Sequence, residues 1–416
     1  MRDTRATRAA LAVAVVVSLS AGTATGFAVA EAGARPGVTP RASMSLLSAS
    51  IPAGAQQVGI TEPLVITAVG GTLTTITVSG KSDRSGKPLS GTLSRDRTRW
   101  TSEPLGYGIQ YTAVATGMGT EGRPIAPLES TFRTVKPNRT LDVDAVRPTN
   151  GQVVGVAMPI SIYFNHPVRD KAAVERRIAV TPSVPTEGAF NWVADDQVNW
   201  RPRHFWAART TVTVRSALRG VDAGSGTFGG SDKESAFTVG RAQEAVGDAR
   251  AHTLTLVVDG KPDRIMPASF GRAQYPTQNG MHVAFEKHLS KRMRSDSWGG
   301  PKEGEPGFYD EILPLAVRIS ANGEFIHVNS ATVGVQGRYN VSHGCVNLSP
   351  ANGKAFYDWV QIGDPVNIIG STRPLTPRDG DISDWLTPWD QYAAGSALRR
   401  PPLGAKVNPI IPRITQ

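Results

Sequence analysis

Short runs of alternating apolar and polar residues, broken by Gly, Pro, Asp and Ser, fill the chain from Pro63 to Val239, and their arrangement is written twice. The first set is Pro63 to Thr67, Leu73 to Val78, Arg99-Trp100-Thr101, Gln110 to Ala115 and Ser130 to Val135. About a hundred residues later Met158 to Phe164, Asn199-Trp200, Thr210 to Val214 and Ser235 to Val239 answer four of these runs. A period of two sends successive side chains to opposite faces of a strand, so each run has one face to bury and one to leave in water. Two units of about a hundred residues, each with roughly seven short strands, predict tandem β-sandwiches. Trp100 and Trp200 hold matching places in the two units. A large ring at a fixed place in a sandwich is expected to anchor its core, not to stand in solvent as a sugar-stacking platform. The 43 Gly and 30 Pro of the 416 residues suit such a turn-dense, mostly β chain.

The flanks say where the chain works. Arg2, Arg5 and Arg8 precede an uncharged stretch from Ala9 to Ala30, with Leu11 to Leu19 as its apolar heart and Ala28-Val29-Ala30 as a small-residue cleavage site. That is the order of parts in an export signal, expected over residues 1–30, and an uncleaved membrane anchor is the alternative. Residues 31–43 read as a linker. The chain is therefore expected outside the cytoplasmic membrane, in the cell envelope. The net charge of +10 comes from Lys and Arg scattered over strands and loops, without a basic helix or stacked aromatics, so a nucleic-acid partner is not expected. An anionic cell envelope suits it better.

A single cysteine, Cys345, rules out an internal disulfide, and an exported chain that keeps one thiol invites a chemical explanation. Cys345 lies in Ser342-His343-Gly344-Cys345-Val346-Asn347; His327 stands eighteen residues upstream, with Gly334, Gly337 and Gly344 between them. A thiol beside an imidazole is the smallest kit for acyl transfer, and glycine before the nucleophile lets backbone N–H groups approach a substrate carbonyl. His327 follows the extended-looking Glu324-Phe325-Ile326 and can face the Cys345 turn from a strand. His343 is a worse base: at extended spacing its Cα lies about 6.6 Å from that of Cys345 with the two side chains parallel. His327 is thus the expected base, and His343 a structural or oxyanion-side residue.

His327 followed by Ser342-His343-Gly344-Cys345-Val346-Asn347 resembles the signature of the L,D-transpeptidase (YkuD catalytic domain) family, a histidine followed at a set spacing by S/T-H-G-C-x-N. The hairpin expected at His252 to Val258, Asp259-Gly260 and Arg264 to Gly271 is similar to the opening of that domain, and Pro276 to Met281 to the segment after it. The resemblance implies a catalytic pair of Cys345 and His327, and an oxyanion side and turn from Ser342, His343 and Gly344. It also implies substrate contacts from Tyr309 and Asn347, and a Val328 backbone carbonyl that orients His327. It implies no metal and no cofactor.

The partners it implies are peptidoglycan stem peptides, a donor tetrapeptide and an acceptor diamino acid side chain, with carbapenems as inhibitors. The implied reaction is formation of 3→3 cross-links through a cysteine thioester with release of D-Ala. An L,D-carboxypeptidase of the same fold and a non-catalytic wall-binding protein are the alternatives. A papain-like peptidase is disfavoured because there the cysteine precedes the histidine. Asn329 to Thr332 lacks the bulky aromatic of some relatives.

The expected organisation is Ig-like domains at residues 44–137 and 138–241, a β-rich catalytic domain at 242–371, and a small C-terminal subdomain and tail at 372–416. The Ig-like units resemble those that precede the catalytic domain in actinobacterial members, as spacers. Residues from Glu286 to Glu305 are expected to form a loop or hairpin over the site, its charges mostly solvated. Ala351 to Val360 reads as an amphipathic helix with Ala355, Phe356, Trp359 and Val360 inward. Trp385, Trp389 and Tyr392 are expected to pack between catalytic and Ig-like domains.

Overall fold

The computed structural model describes residues 45–81, 88–377 and 382–398. The expected signal, linker and extreme C-terminus lie outside them. Among the described residues no helix is long and apolar enough to cross a membrane.

Two sandwiches come first. One pairs the sheet Leu46–Ala49, Val65–Val69, Arg99–Ser102, Gly91–Leu93 with the sheet Gly71–Lys81, Gln110–Gly119, Pro124–Arg133. Alternation works as expected: Tyr111, Ala113 and Ala115 point inward while their neighbours do not, and they meet Leu64, Ile66, Leu73 and Phe132 in the core. The second pairs Val153–Val154, Lys233–Val239, Thr211–Ser216, Ile178–Pro182 with Gly188–Ala194, Gln197–Pro202, Ile160–Phe164, Val143–Arg147.

The duplication extends to register. Trp100 pairs with Leu93 on one side and Ile66 on the other; Trp200 pairs with Phe190 and Ile160. Both rings are buried. Each lies against a glycine two residues upstream of its partner: a Cβ on Gly91 would stand 2.3 Å from the Trp100 ring, and one on Gly188 1.9 Å from the Trp200 ring. Only a residue without a side chain leaves room for the indole there.

An unexpected helix, Lys171–Glu175, interrupts the second sandwich, capped by the Asp170 carboxylate on the Ala173 N–H. Its last residue is its link to the rest of the fold. Buried Glu175 accepts from Trp192 Nε1 at 2.9 Å and from Ala397 N at 2.8 Å, and it also bonds Ser396, so it ties the C-terminal segment to this sandwich.

The remaining strands form a six-stranded sheet (Lys261–Pro267, Thr253–Val258, Gln243–Asp248, Pro365–Ile369, Gln278–Val283, Arg373–Pro374) and a four-stranded one (Glu286–Arg294, Asp310–Arg318, Phe325–Val328, Val346–Leu348). The expected hairpin is present, turning at Asp259 and Gly260, both at positive φ. The helix Pro350–Trp359 braces the second sheet from behind. Its inward face is Gly353, Phe356 and then Val360, with Ala355 and Trp359 only half-buried. Gly353 matters because a Cβ there would lie 2.3 Å from Val328, on the strand that bears His327.

Backbone bonds seal the junctions. Gly155 N and Ala157 N of the second sandwich donate to Ile362 O and Gly363 O at 2.7 and 2.9 Å. Tyr107 Oη donates to Gly229 O at 2.8 Å between the sandwiches. The C-terminal segment, expected between the catalytic and Ig-like domains, sets its rings on the second sandwich: Trp385 Nε1 donates to Ala157 O at 2.6 Å, and Trp385, Trp389 and Tyr392 enclose the buried Arg201 guanidinium, 4.6, 5.2 and 4.5 Å from their ring centres.

Candidate active site

His327 and Cys345 reach one cavity from neighbouring strands. Phe325–Val328 and Val346–Leu348 pair in parallel with His327 opposite Asn347, so Cys345, just before the second strand, falls level with Phe325, one step along the same face from His327. Both line a cavity of about 190 Å³, together with Tyr309, Ser342, His343 and Asn347. Six of the eight residues singled out from sequence therefore meet there. The other two lie at its edge: Gly344 in the turn before Cys345, and Val328 with its carbonyl on His327.

The imidazole of His327 is buried, and its Nδ1 lies 3.0 Å from Val328 O. A carbonyl only accepts, so Nδ1 carries the proton and Nε2 is left as the basic nitrogen. Burial, opposed by this bond, lowers the histidine pKa to about 4. The same enclosure, with a smaller contribution from the Glu324 charge, raises the Cys345 thiol to about 12. At rest the pair is a neutral thiol and a neutral imidazole, and the thiol points to Gly323 O at 3.8 Å.

The turn is built by side chains. Ser342 Oγ donates to Cys345 O at 2.5 Å and accepts from Gly344 N at 3.1 Å. That second bond corrects one expectation: the Gly344 N–H is already engaged by Ser342. Gly344 sits at φ +128°, where a side chain would be strained, and a Cβ would lie 3.5 Å from Glu324 Oε1. His343 stands to one side, its ring packed on Tyr275 and Tyr309.

Sequence reasoning missed the supports. Thr277 is buried; its hydroxyl donates to Gly344 O at 2.7 Å and accepts from Gly271 N at 2.9 Å. Glu324 Oε1 accepts from Gln278 N at 2.8 Å behind the same turn. Arg272 donates to His343 Nε2 at 2.6 Å. Thr277 lies within the Pro276 to Met281 segment already noticed, but nothing local marks Glu324 or Arg272.

Tyr309 lines the cavity, and its hydroxyl accepts from Trp298 Nε1 at 2.8 Å. Asn347 is buried with its Oδ1 unpartnered, a polar atom that a ligand could satisfy.

The region over the site is a hairpin, Glu286–Arg294 against Asp310–Arg318, and Met293, Glu311 and Leu313 add to the cavity wall. Its charges stay in solvent, as expected, but several are paired. Arg292 and Arg294 both bridge to Asp310, at 2.6 and 3.2 Å. Lys287 donates to Tyr357 O at 2.5 Å and Val360 O at 2.8 Å, capping the end of the bracing helix.

Comparisons with known proteins give the family. A family profile for the L,D-transpeptidase catalytic domain matches residues 243–368, and one for a bacterial Ig domain matches 55–222. The chain is 38% identical to L,D-transpeptidase 2 of Mycobacterium tuberculosis (strain CDC 1551 / Oshkosh) over 84% of its own length and 85% of that protein. It is 39% identical to L,D-transpeptidase 5 of Mycobacterium tuberculosis (strain ATCC 25618 / H37Rv), over 78% and 71% of the two chains. The solved L,D-transpeptidase LdtMt1 in complex with imipenem is 36% identical, with 56% of this chain and all of that chain covered at a TM-score of 0.48. With the relation to L,D-transpeptidase 2 running through Ig-like and catalytic portions alike, the chain belongs to the L,D-transpeptidase family.

Proposed function

We propose that the protein is an exported peptidoglycan L,D-transpeptidase that forms 3→3 cross-links by way of a Cys345 thioester. The observation behind this is the placement of the chain's one thiol and a base with a free Nε2 in a single cavity. Cys345 adds to the carbonyl of the third residue of a tetrapeptide stem as His327 Nε2 takes the thiol proton. The Cys345 N–H holds the oxyanion. Collapse breaks the bond to D-Ala, which leaves with the proton from His327. The side-chain amine of a second stem then loses a proton to His327 and displaces the thiol, restoring both groups. Val328 O keeps the imidazole in its working tautomer, Ser342 and Gly344 hold the turn, and Tyr309 and Asn347 bind the donor. Acylation by carbapenems follows the same first step. The two sandwiches serve as spacers that carry the site into the wall.

The deciding experiment incubates the protein with a disaccharide tetrapeptide bearing meso-diaminopimelate and weighs the products, with Cys345→Ala as control. A dimer lighter by one D-Ala, absent with the variant, is the expected result. Tripeptide and free D-Ala alone would make it an L,D-carboxypeptidase; no turnover and no carbapenem adduct would favour wall binding.

A second expectation concerns pH. Since the thiol sits at about 12 and His327 at about 4, the neutral pair is the working form. Meropenem acylation followed by intact mass should be flat between about pH 5 and 9 and should fall below about pH 4, as the base is protonated. A bell centred near neutral pH would point instead to a thiolate–imidazolium pair.

A further inference from the structure

The cavity has a second imidazole whose setting differs from that of His327. His343 Nε2 lies 2.6 Å from Arg272 Nη2. A guanidinium offers only N–H donors and keeps its proton in proteins, so this contact is a hydrogen bond only if Nε2 is a bare acceptor. The ring proton must then sit on Nδ1, and the ring must be neutral, because an imidazolium would set donor against donor and cation against cation.

Packing fixes the ring in that pose. Tyr309 and Tyr275 lie 4.9 and 5.2 Å from it, centre to centre, and Arg272 in turn stacks over Tyr275 at 5.0 Å. No protein acceptor meets Nδ1 among the described residues, and His343 lines the cavity.

We propose that Arg272 is a positioning residue: it holds His343 as the neutral Nδ1–H tautomer, so that His343 donates a hydrogen bond to an oxygen of the stem peptide and is barred from serving as a second base. The role in substrate binding rests on the transpeptidase reading above; the tautomer does not. The groups facing the ring are the Arg272 guanidinium and the phenols of Tyr275 and Tyr309. Cys345 and Glu311 share the cavity, and Glu324 lies behind Gly344. Enclosure and the Arg272 charge both disfavour a proton on Nε2, and they lower the His343 pKa in that order. The carboxylates pull the other way but touch the ring through no hydrogen bond.

The test is long-range proton–nitrogen NMR on the ligand-free, histidine-labelled full chain, with the His343 signals identified by their loss in His343→Gln. The expected wild-type result is the Nδ1–H tautomer, with any titration displaced below the ordinary histidine value. In Arg272→Gln the donor that keeps Nε2 bare is gone, so His343 should lose the single Nδ1–H tautomer and its titration should move upward, while enclosure still holds it below the ordinary histidine value. Arg272→Lys, which keeps a cationic donor, should restore the wild-type spectrum at least in part. Meropenem acylation of Arg272→Gln should show a new inflection that follows the His343 titration seen in its spectra, absent from wild type. A wild-type His343 that is protonated on Nε2 or titrates near 6.5 overturns the proposal, whatever happens to Arg272→Gln. So does a well-folded Arg272→Gln whose His343 signals and acylation profile match wild type. Because the spectra need no substrate, failure of the transpeptidase reading would leave this result standing.

Discussion

Replacing His327 with glutamine should slow meropenem acylation of Cys345 by about a hundred- to ten-thousandfold, the usual worth of a placed general base. The loss is large because the resting thiol is enclosed and held at about 12, so little thiolate forms without the base. Glutamine keeps an N–H for Val328 O and much of the volume, which preserves the strand pairing of Ile326 with Val346. Intact-mass kinetics give the rate, and circular dichroism checks the fold. Cys345→Ala should show no adduct at all. If His327→Gln acylates within about threefold of wild type, below the range expected of general-base catalysis, another group is the base.

Trp200→Ala should destabilise the second sandwich by about 3–5 kcal/mol, the cost of deleting a large buried ring. Trp200 stacks on Trp206 at 5.1 Å and fills the space beside Gly188, so truncation leaves a cavity that the rigid strands on either side cannot close. For a domain of about a hundred residues that loss lowers Tm by roughly 12 °C or more, readable by calorimetry. A shift under about 3 °C, a loss of less than 1 kcal/mol, would mean that the ring is not the anchor that its burial and paired register imply.

The lesson from Trp200 is that periodicity reaches far. Alternation located the strands of both sandwiches, and the hundred-residue echo anticipated that Trp100 and Trp200 would sit alike. The pattern did not anticipate Gly91 and Gly188, because a glycine leaves no periodic trace. Its need appears only when a neighbouring strand brings an indole within 2.3 or 1.9 Å of where a Cβ would be. The helix Lys171–Glu175 was invisible for a similar reason: Glu175 is satisfied by Trp192 and by residues some 220 positions away.

A lone thiol and a distant histidine say little by themselves, since most such cysteines are buried and inert; Cys345 and His327 stood out because Ser342 to Asn347 and the upstream histidine together resemble a family signature. The sequence also determined the mostly β class, the paired sandwiches and the hairpin at Asp259-Gly260, since all of these follow from local period and turn chemistry. Only the tertiary structure decided that Thr277 ties down Gly344, that Ser342 takes the Gly344 N–H, and that Arg272 bonds His343. The partners of Thr277 and Arg272 lie 67 and 71 residues away. Even the Ser342 bond, only two residues long, depends on how the turn is folded. The pKa values of His327 and Cys345 belong to the same category. They come from burial, and burial is a property of the packed chain, not of any segment within it.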